Sequence, residues 1–89
     1  MSRIGDTIQV GKGVVSDTDD GIGFGGRTAM SATVHEPGRV RIAAWSKYEE
    51  FSVYLHEGET VQIGRQTWRL DKIHIEGGRD WYADLTRIA

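Results

Sequence analysis

The chain contains no cysteine, a single proline and no long apolar run. Without cysteine it has no disulfide framework, no thiolate zinc site and no thiol nucleophile. No stretch approaches the ~20 apolar residues of a membrane-spanning helix. The opening segment MSRIGDTIQV lacks the apolar run of a secretory leader, so no membrane contact and cytoplasmic residence are the expectations. Basic charge is not in excess either. Residues 1–38 carry three basic and five acidic groups, residues 39–89 carry eight of each, and the net charge is −2. No basic stripe emerges, so the charge pattern argues against nucleic acid as a partner.

What is present describes one small globular domain spanning residues 1–89. Hydrophobic residues make up 38% and charged residues 27%, an ordinary balance for a folded domain. Twelve glycines supply most of the punctuation. Turn formers cluster over Ser16–Arg27, SDTDDGIGFGGR, which reads as a Gly/Asp-rich surface loop between a short N-terminal strand pair and the main body.

From Thr28 onward the pattern is β. Short runs rich in valine, isoleucine, threonine and aromatic residues alternate with turn signals, and no window holds an apolar helical stripe. Met30, Ala32 and Val34 share one phase of a strand over Thr28–Glu36, and Val40, Ile42 and Ala44 share one phase of the next. An odd-length loop at Pro37-Gly38 would pair Val34 with Val40 and Ala32 with Ile42, keeping one apolar face. Phe51, Val53 and Leu55 alternate with Ser52, Tyr54 and His56 until the turn Glu57-Gly58-Glu59. Gly64-Arg65 fits a two-residue hairpin turn that sets Val61 opposite Trp68. Between Trp68/Leu70 and Ile73/Ile75 the phase slips, which predicts a β-bulge near Asp71-Lys72. Gly77-Gly78 closes that strand, and Trp81, Ala83 and Leu85 form the last inward set. The fold class expected is all-β, a small antiparallel β-sandwich or partly open barrel of about seven to eight short strands.

Two of these segments, LHEGETVQIGRQTWRLDKI and DWYADLTRI, together resemble the C-terminal half of a small, actinobacterial-looking bacterial domain family without assigned function. The resemblance lies in the hairpin "Gly-Glu-Thr … Gly … Thr-Trp-Arg-Leu" followed by a tryptophan-containing final strand. It implies a β domain and carries no catalytic residue.

Sequence motifs tested for chemistry fail on context. Gly21-Ile22-Gly23-Phe24-Gly25-Gly26 satisfies G-x-G-x-x-G, yet the dinucleotide fingerprint needs a following helix, and RTAMSATVHE runs into a proline turn. Asp17-Thr18-Asp19-Asp20-Gly21 evokes a calcium loop. Counted from Asp17, however, position five is Gly21 and position twelve is Thr28, neither of them a carboxylate. His35, His56 and His74 lack metal spacing. Adjacent Glu49 and Glu50 point to opposite faces of a strand and make poor acid/base partners. The expectation is no catalytic residue, no metal and no cofactor.

Aromatic residues are the remaining lead. Trp68 and Trp81 fall on inward phases. Trp45, Tyr54 and Tyr82 fall on outward phases, and Tyr48 lies in a turn. With Arg41, these four aromatics form the candidate binding set. The leading expectation is a noncatalytic module that binds a protein partner or forms a homodimer. The alternative is a carbohydrate- or small-ligand-binding domain using the same rings as a platform.

Overall fold

The alternation over residues 39–56 becomes two long neighbouring strands, and the rest of the molecule is arranged around them. The structure, a computed structural model, describes residues 3–18, 21–76 and 80–89. Among these it has eight strands and no helix: β1 (Thr7–Gly11), β2 (Val15–Asp17), β3 (Gly23–Met30), β4 (Arg39–Trp45), β5 (Glu50–His56), β6 (Thr60–Ile63), β7 (Gln66–Glu76) and β8 (Asp80–Arg87). They form two antiparallel four-stranded sheets, ordered β1-β8-β7-β6 and β2-β3-β4-β5. The architecture is an open all-β sandwich.

Period-two alternation places one face of each sheet inward. Val40, Ile42 and Ala44 are fully buried on β4 and face Val10, Ile63, Trp68, Leu70 and Leu85 of the other sheet. Trp68 is the largest buried side chain. Its ring meets Phe24 edge-on with centroids 5.4 Å apart, and its indole N–H donates to Gln66 Oε1 at 3.1 Å.

The sandwich is joined along one side and open along the other. On the joined side the chain crosses from β1 into β2, and Lys12 bridges Gly26 of β3. A Cβ on Gly26 would lie 2.1 Å from the Gly11 carbonyl oxygen, so only glycine permits this backbone contact. The Ser16 hydroxyl adds a hydrogen bond to the Gln9 carbonyl. On the other side β5 and β6 do not pair, and the Gly64 N–H donates to the Glu49 carboxylate at 3.1 Å.

Several local expectations hold. Val61 pairs with Trp68 and Ile63 with Gln66 around Gly64-Arg65, where Gly64 has φ of 60°. The register of β7 against β8 shifts between Leu70 and Lys72, leaving Asp71 as the bulge. The Gly77-Gly78 turn lies outside the described residues.

Two expectations are corrected. The segment Ser16–Arg27 is not a loop throughout, because β2 runs to Asp17 and β3 begins at Gly23. The glycines of β3 admit close neighbours instead of supplying a turn. The strand expected over Thr28–Glu36 ends at Met30, and residues 31–38 form the connection. Consequently Ala29 pairs with Val40 and Gly26 with Ile42; the Val34–Val40 and Ala32–Ile42 pairs do not form. The physical reason is Thr33, whose hydroxyl accepts the N–H groups of His35 (3.2 Å) and Glu36 (3.0 Å) in a local turn that competes with the strand. Val34 is left 97% exposed.

The bulge carries a pH dependence. Asp71 accepts hydrogen bonds from the Thr86 hydroxyl and from Arg69 Nε at 2.7 Å, and these hold its carboxyl below the usual carboxylate range, the Thr86 bond contributing most. Above the unfolded-state pKa the resulting stabilisation is fully present. It is lost as pH falls through the depressed folded value, because the unfolded chain then binds the proton first. Thermal melts between about pH 5 and pH 2 should show a stability loss that is smaller in Asp71→Asn than in the wild type. Equal pH slopes in the two proteins would contradict this role for Asp71.

Candidate functional site

The outer face of the β2-β3-β4-β5 sheet holds three of the five sequence-predicted residues. Directly paired residues share a face, so the register defines successive rows across β3, β4 and β5. Met30, Arg39 and His56 form one row, and Thr28, Arg41 and Tyr54 the next. Gly25, Ala43 and Ser52 follow, and Gly23, Trp45 and Glu50 complete the set. β2 adds Val15 beside Gly25 and Asp17 beside Gly23.

At one end of this face Tyr54 is 55% exposed, with the guanidinium groups of Arg39 and Arg41 5.2 and 5.9 Å from its ring centroid. Arg39 also places Nε and Nη2 3.3 and 3.2 Å from Met30 Sδ, fixing the methionine beside it. This arrangement keeps a tyrosine, a methionine and two guanidinium groups at the surface, residue types enriched at protein interfaces. In the same end row, Glu59 accepts from the backbone N–H of His56 at 2.7 Å and lies 2.7 Å from its ring Nδ1. Those contacts, the backbone bond first, lower the Glu59 carboxyl pKa.

At the other end Trp45 lies across two glycines. A Cβ on Gly23 would fall 2.3 Å from the indole Cε2 and Nε1, and one on Gly25 3.4 Å from Cη2 and Cζ3. The ring thus roofs bare backbone and is half-buried. Its outward phase was legible in the sequence, but its covering role required the glycines that β3 brings beneath it. Asp17 and Glu50 set carboxylates at this end.

The other two predicted residues lie elsewhere. Tyr48 sits in the β4–β5 turn, 89% exposed, with Lys47 Nζ 5.8 Å from its ring. Tyr82 belongs to the opposite sheet, where its ring stacks on His74 at 4.2 Å and 13°. His74 Nε2 is also 3.1 Å from Asp84 Oδ2, a part-buried imidazole–carboxylate pair that sequence reasoning missed. The bulge puts His74 on the outer face, but its meeting with Asp84 depends on the β7–β8 register. Among the described residues no group of three or more His, Asp or Glu side chains converges for a metal ion. Nor, among them, is any helix long and apolar enough to cross a membrane.

A cleft of about 510 Å³ opens along β7, with Ile73 and Ile75 on one side and Ala32, Pro37, His56 and Glu57 on the other. It adjoins a second cavity of about 330 Å³ reaching Lys12, Arg27 and Trp81, and Ser31 and Ile75 line both.

A family model described as a family of unknown function (DUF6406) matches residues 5–89. No curated protein and no solved structure matches the chain.

Proposed function

The chain belongs to this family of unknown function, and from that premise we propose that it is a noncatalytic protein-interaction module of the bacterial cytoplasm that self-associates. The contact is the outer face of the β2-β3-β4-β5 sheet. The observation that carries this reading is the exposed Tyr54 beside Arg39 and Arg41 at one end of a face whose other end bears Asp17 and Glu50. A two-fold axis running across the strands would set the guanidinium end of one copy over the carboxylate end of the other. Opposite charges then meet, and Met30 and Tyr54 of each copy lie toward the Trp45 end of the other, adding apolar contact at both ends.

Light scattering after size exclusion tests this directly. Wild type is expected to dimerise, and Arg41→Glu to weaken the dimer by roughly tenfold or more, since like charges then face one another. Adding Glu50→Arg to that variant should restore part of the loss. A wild type that stays monomeric at every concentration ends the self-association reading.

One observation favours a second reading, a carbohydrate-binding domain. The Trp45 ring spans both glycines and presents its other face outward beside Asp17 and Glu50, as a sugar-stacking platform would. Stabilisation of a monomeric wild type by oligosaccharides in a thermal-shift screen would select this alternative.

A further inference from the structure

We infer that the second half of β7 is an acceptor edge for an extended peptide segment of a partner protein, which joins the sheet as an added strand beside Ile73 and Ile75. This goes beyond the self-association reading and concerns a different surface.

β7 outruns its neighbour. β6 pairs with it only over residues 66–69, and Leu70 then exchanges hydrogen bonds with Gly58 and Glu59. Past the Asp71 bulge, β7 continues to Glu76 with β8 as its sole strand partner among the described residues. The opposite edge is identified by one bond: the Ile73 N–H donates not to a strand but to Glu57 Oε2, at 2.8 Å. In an antiparallel ladder the backbone groups of alternate residues point to the same edge. The Ile73 carbonyl and both the N–H and the carbonyl of Ile75 therefore face the same side as the Ile73 N–H.

Along that side lies the 510 Å³ cleft. Its contents define the occupant. A row of backbone donors and acceptors at strand spacing is complemented along its length by another extended backbone, as in recognition by strand addition. The Glu57 carboxylate already stands where a carbonyl of the added strand would accept from Ile73. Side chains of that strand on the inner face would lie beside Ile73 and Ile75, against Ala32 and Pro37, which calls for apolar residues at alternate positions. The loop 31–38 and the β5–β6 turn flank the cleft, favouring one extended segment over the broad edge of a second sandwich.

The probe is the capped peptide acetyl-Thr-Val-Thr-Val-Thr-amide, titrated into the ¹⁵N-labelled full chain at millimolar concentration. Its control carries an N-methyl group on every residue's amide, which removes the donors of both strand edges while keeping the side chains. The expected result is amide shift changes centred on Ile73 and Ile75, slowed hydrogen exchange at Ile75, and no response to the control. Glu57→Ala frees the Ile73 donor and should bind roughly fivefold more tightly. Tyr54→Ala should bind as wild type does, so failure here and failure of the outer-face reading remain distinguishable. The inference is overturned if the peptide binds neither wild type nor Glu57→Ala. It is equally overturned if the N-methylated peptide binds as well, or if the shifts fall on the Tyr54 face.

Discussion

Gly26→Ala is expected to lower the melting temperature by roughly 10–20 °C, from a cost of about 2–3 kcal/mol for overpacking in a domain of this size. The new methyl would lie 2.1, 2.4 and 2.8 Å from the carbonyl oxygen, carbonyl carbon and Cα of Gly11. All three are backbone atoms, so no rotamer change can relieve the clash. Gly11 cannot retreat freely, because a Cβ there would already lie 2.6 Å from the Trp81 carbonyl oxygen. The joined side of the sandwich must therefore open, or β3 must shift its register. Gly26 does not have positive φ, so alanine's backbone preferences impose no separate penalty. Gly58→Ala is the informative comparison. Gly58 has φ of 89° and nothing within 4 Å of where a Cβ would sit, so its cost is conformational alone, about 1–2 kcal/mol. Differential scanning calorimetry of both variants decides the matter. If Gly26→Ala melts no lower than Gly58→Ala, the contact with Gly11 is not what holds the two sheets together.

Trp68→Ala should be more damaging still. Removing a fully buried tryptophan costs about 3–5 kcal/mol in lost transfer energy and residual cavity. An 89-residue domain has only about 4–13 kcal/mol in total. The variant also loses the edge-on contact with Phe24 and the indole donor to Gln66. Urea denaturation should show the midpoint falling sharply, with a measurable unfolded fraction in water. Trp68→Phe, which keeps a ring in the site but not the N–H, should fall between the two. A midpoint for Trp68→Ala close to that of wild type would contradict the placement of this side chain at the centre of the core.

Those two positions also separate what sequence reasoning reached from what it missed. Trp68 was legible because its hairpin is local. The turn at Gly64-Arg65 fixes the register, period-two alternation sets the face, and the phase slip exposes the bulge at Asp71. Gly26 was not legible. In isolation, GFGGR carries the composition of a loop, and its meaning depends on Gly11 and Trp45, which are distant in the chain. The connection at 31–38 failed for a different reason. Hydrophobic alternation across Met30, Ala32 and Val34 suggested a strand, but the Thr33 hydroxyl captures the backbone two and three residues on.

For the candidate site the division is similar. The outward phases of Arg41, Trp45 and Tyr54 followed from alternation along β4 and β5, and their register brings them onto one face. Tyr82 was also correctly outward, but alternation cannot tell which sheet a strand will join. The His74–Asp84 pair and the stretch of β7 at Ile73 that extends past β6 depend on where strands end relative to one another. That information is absent from any single stretch of residues.

The strand order has a consequence for synthesis. β2, β3, β4 and β5 are neighbours in both sequence and space, so their sheet can be completed hairpin by hairpin as the chain emerges. The other sheet cannot. β8, the last of the eight strands to leave the ribosome, lies between β1 and β7, and β1 pairs with it alone within that sheet among the described residues. At typical elongation rates, β1 waits on the order of ten seconds for its neighbour. During that wait Ile8 and Val10 lack the strand that later pairs beside them, and a nascent chain that has emerged only through β7 would hold one finished sheet and one unfinished one. This interval is when the chain is most exposed to capture by chaperones or by other strands seeking an edge.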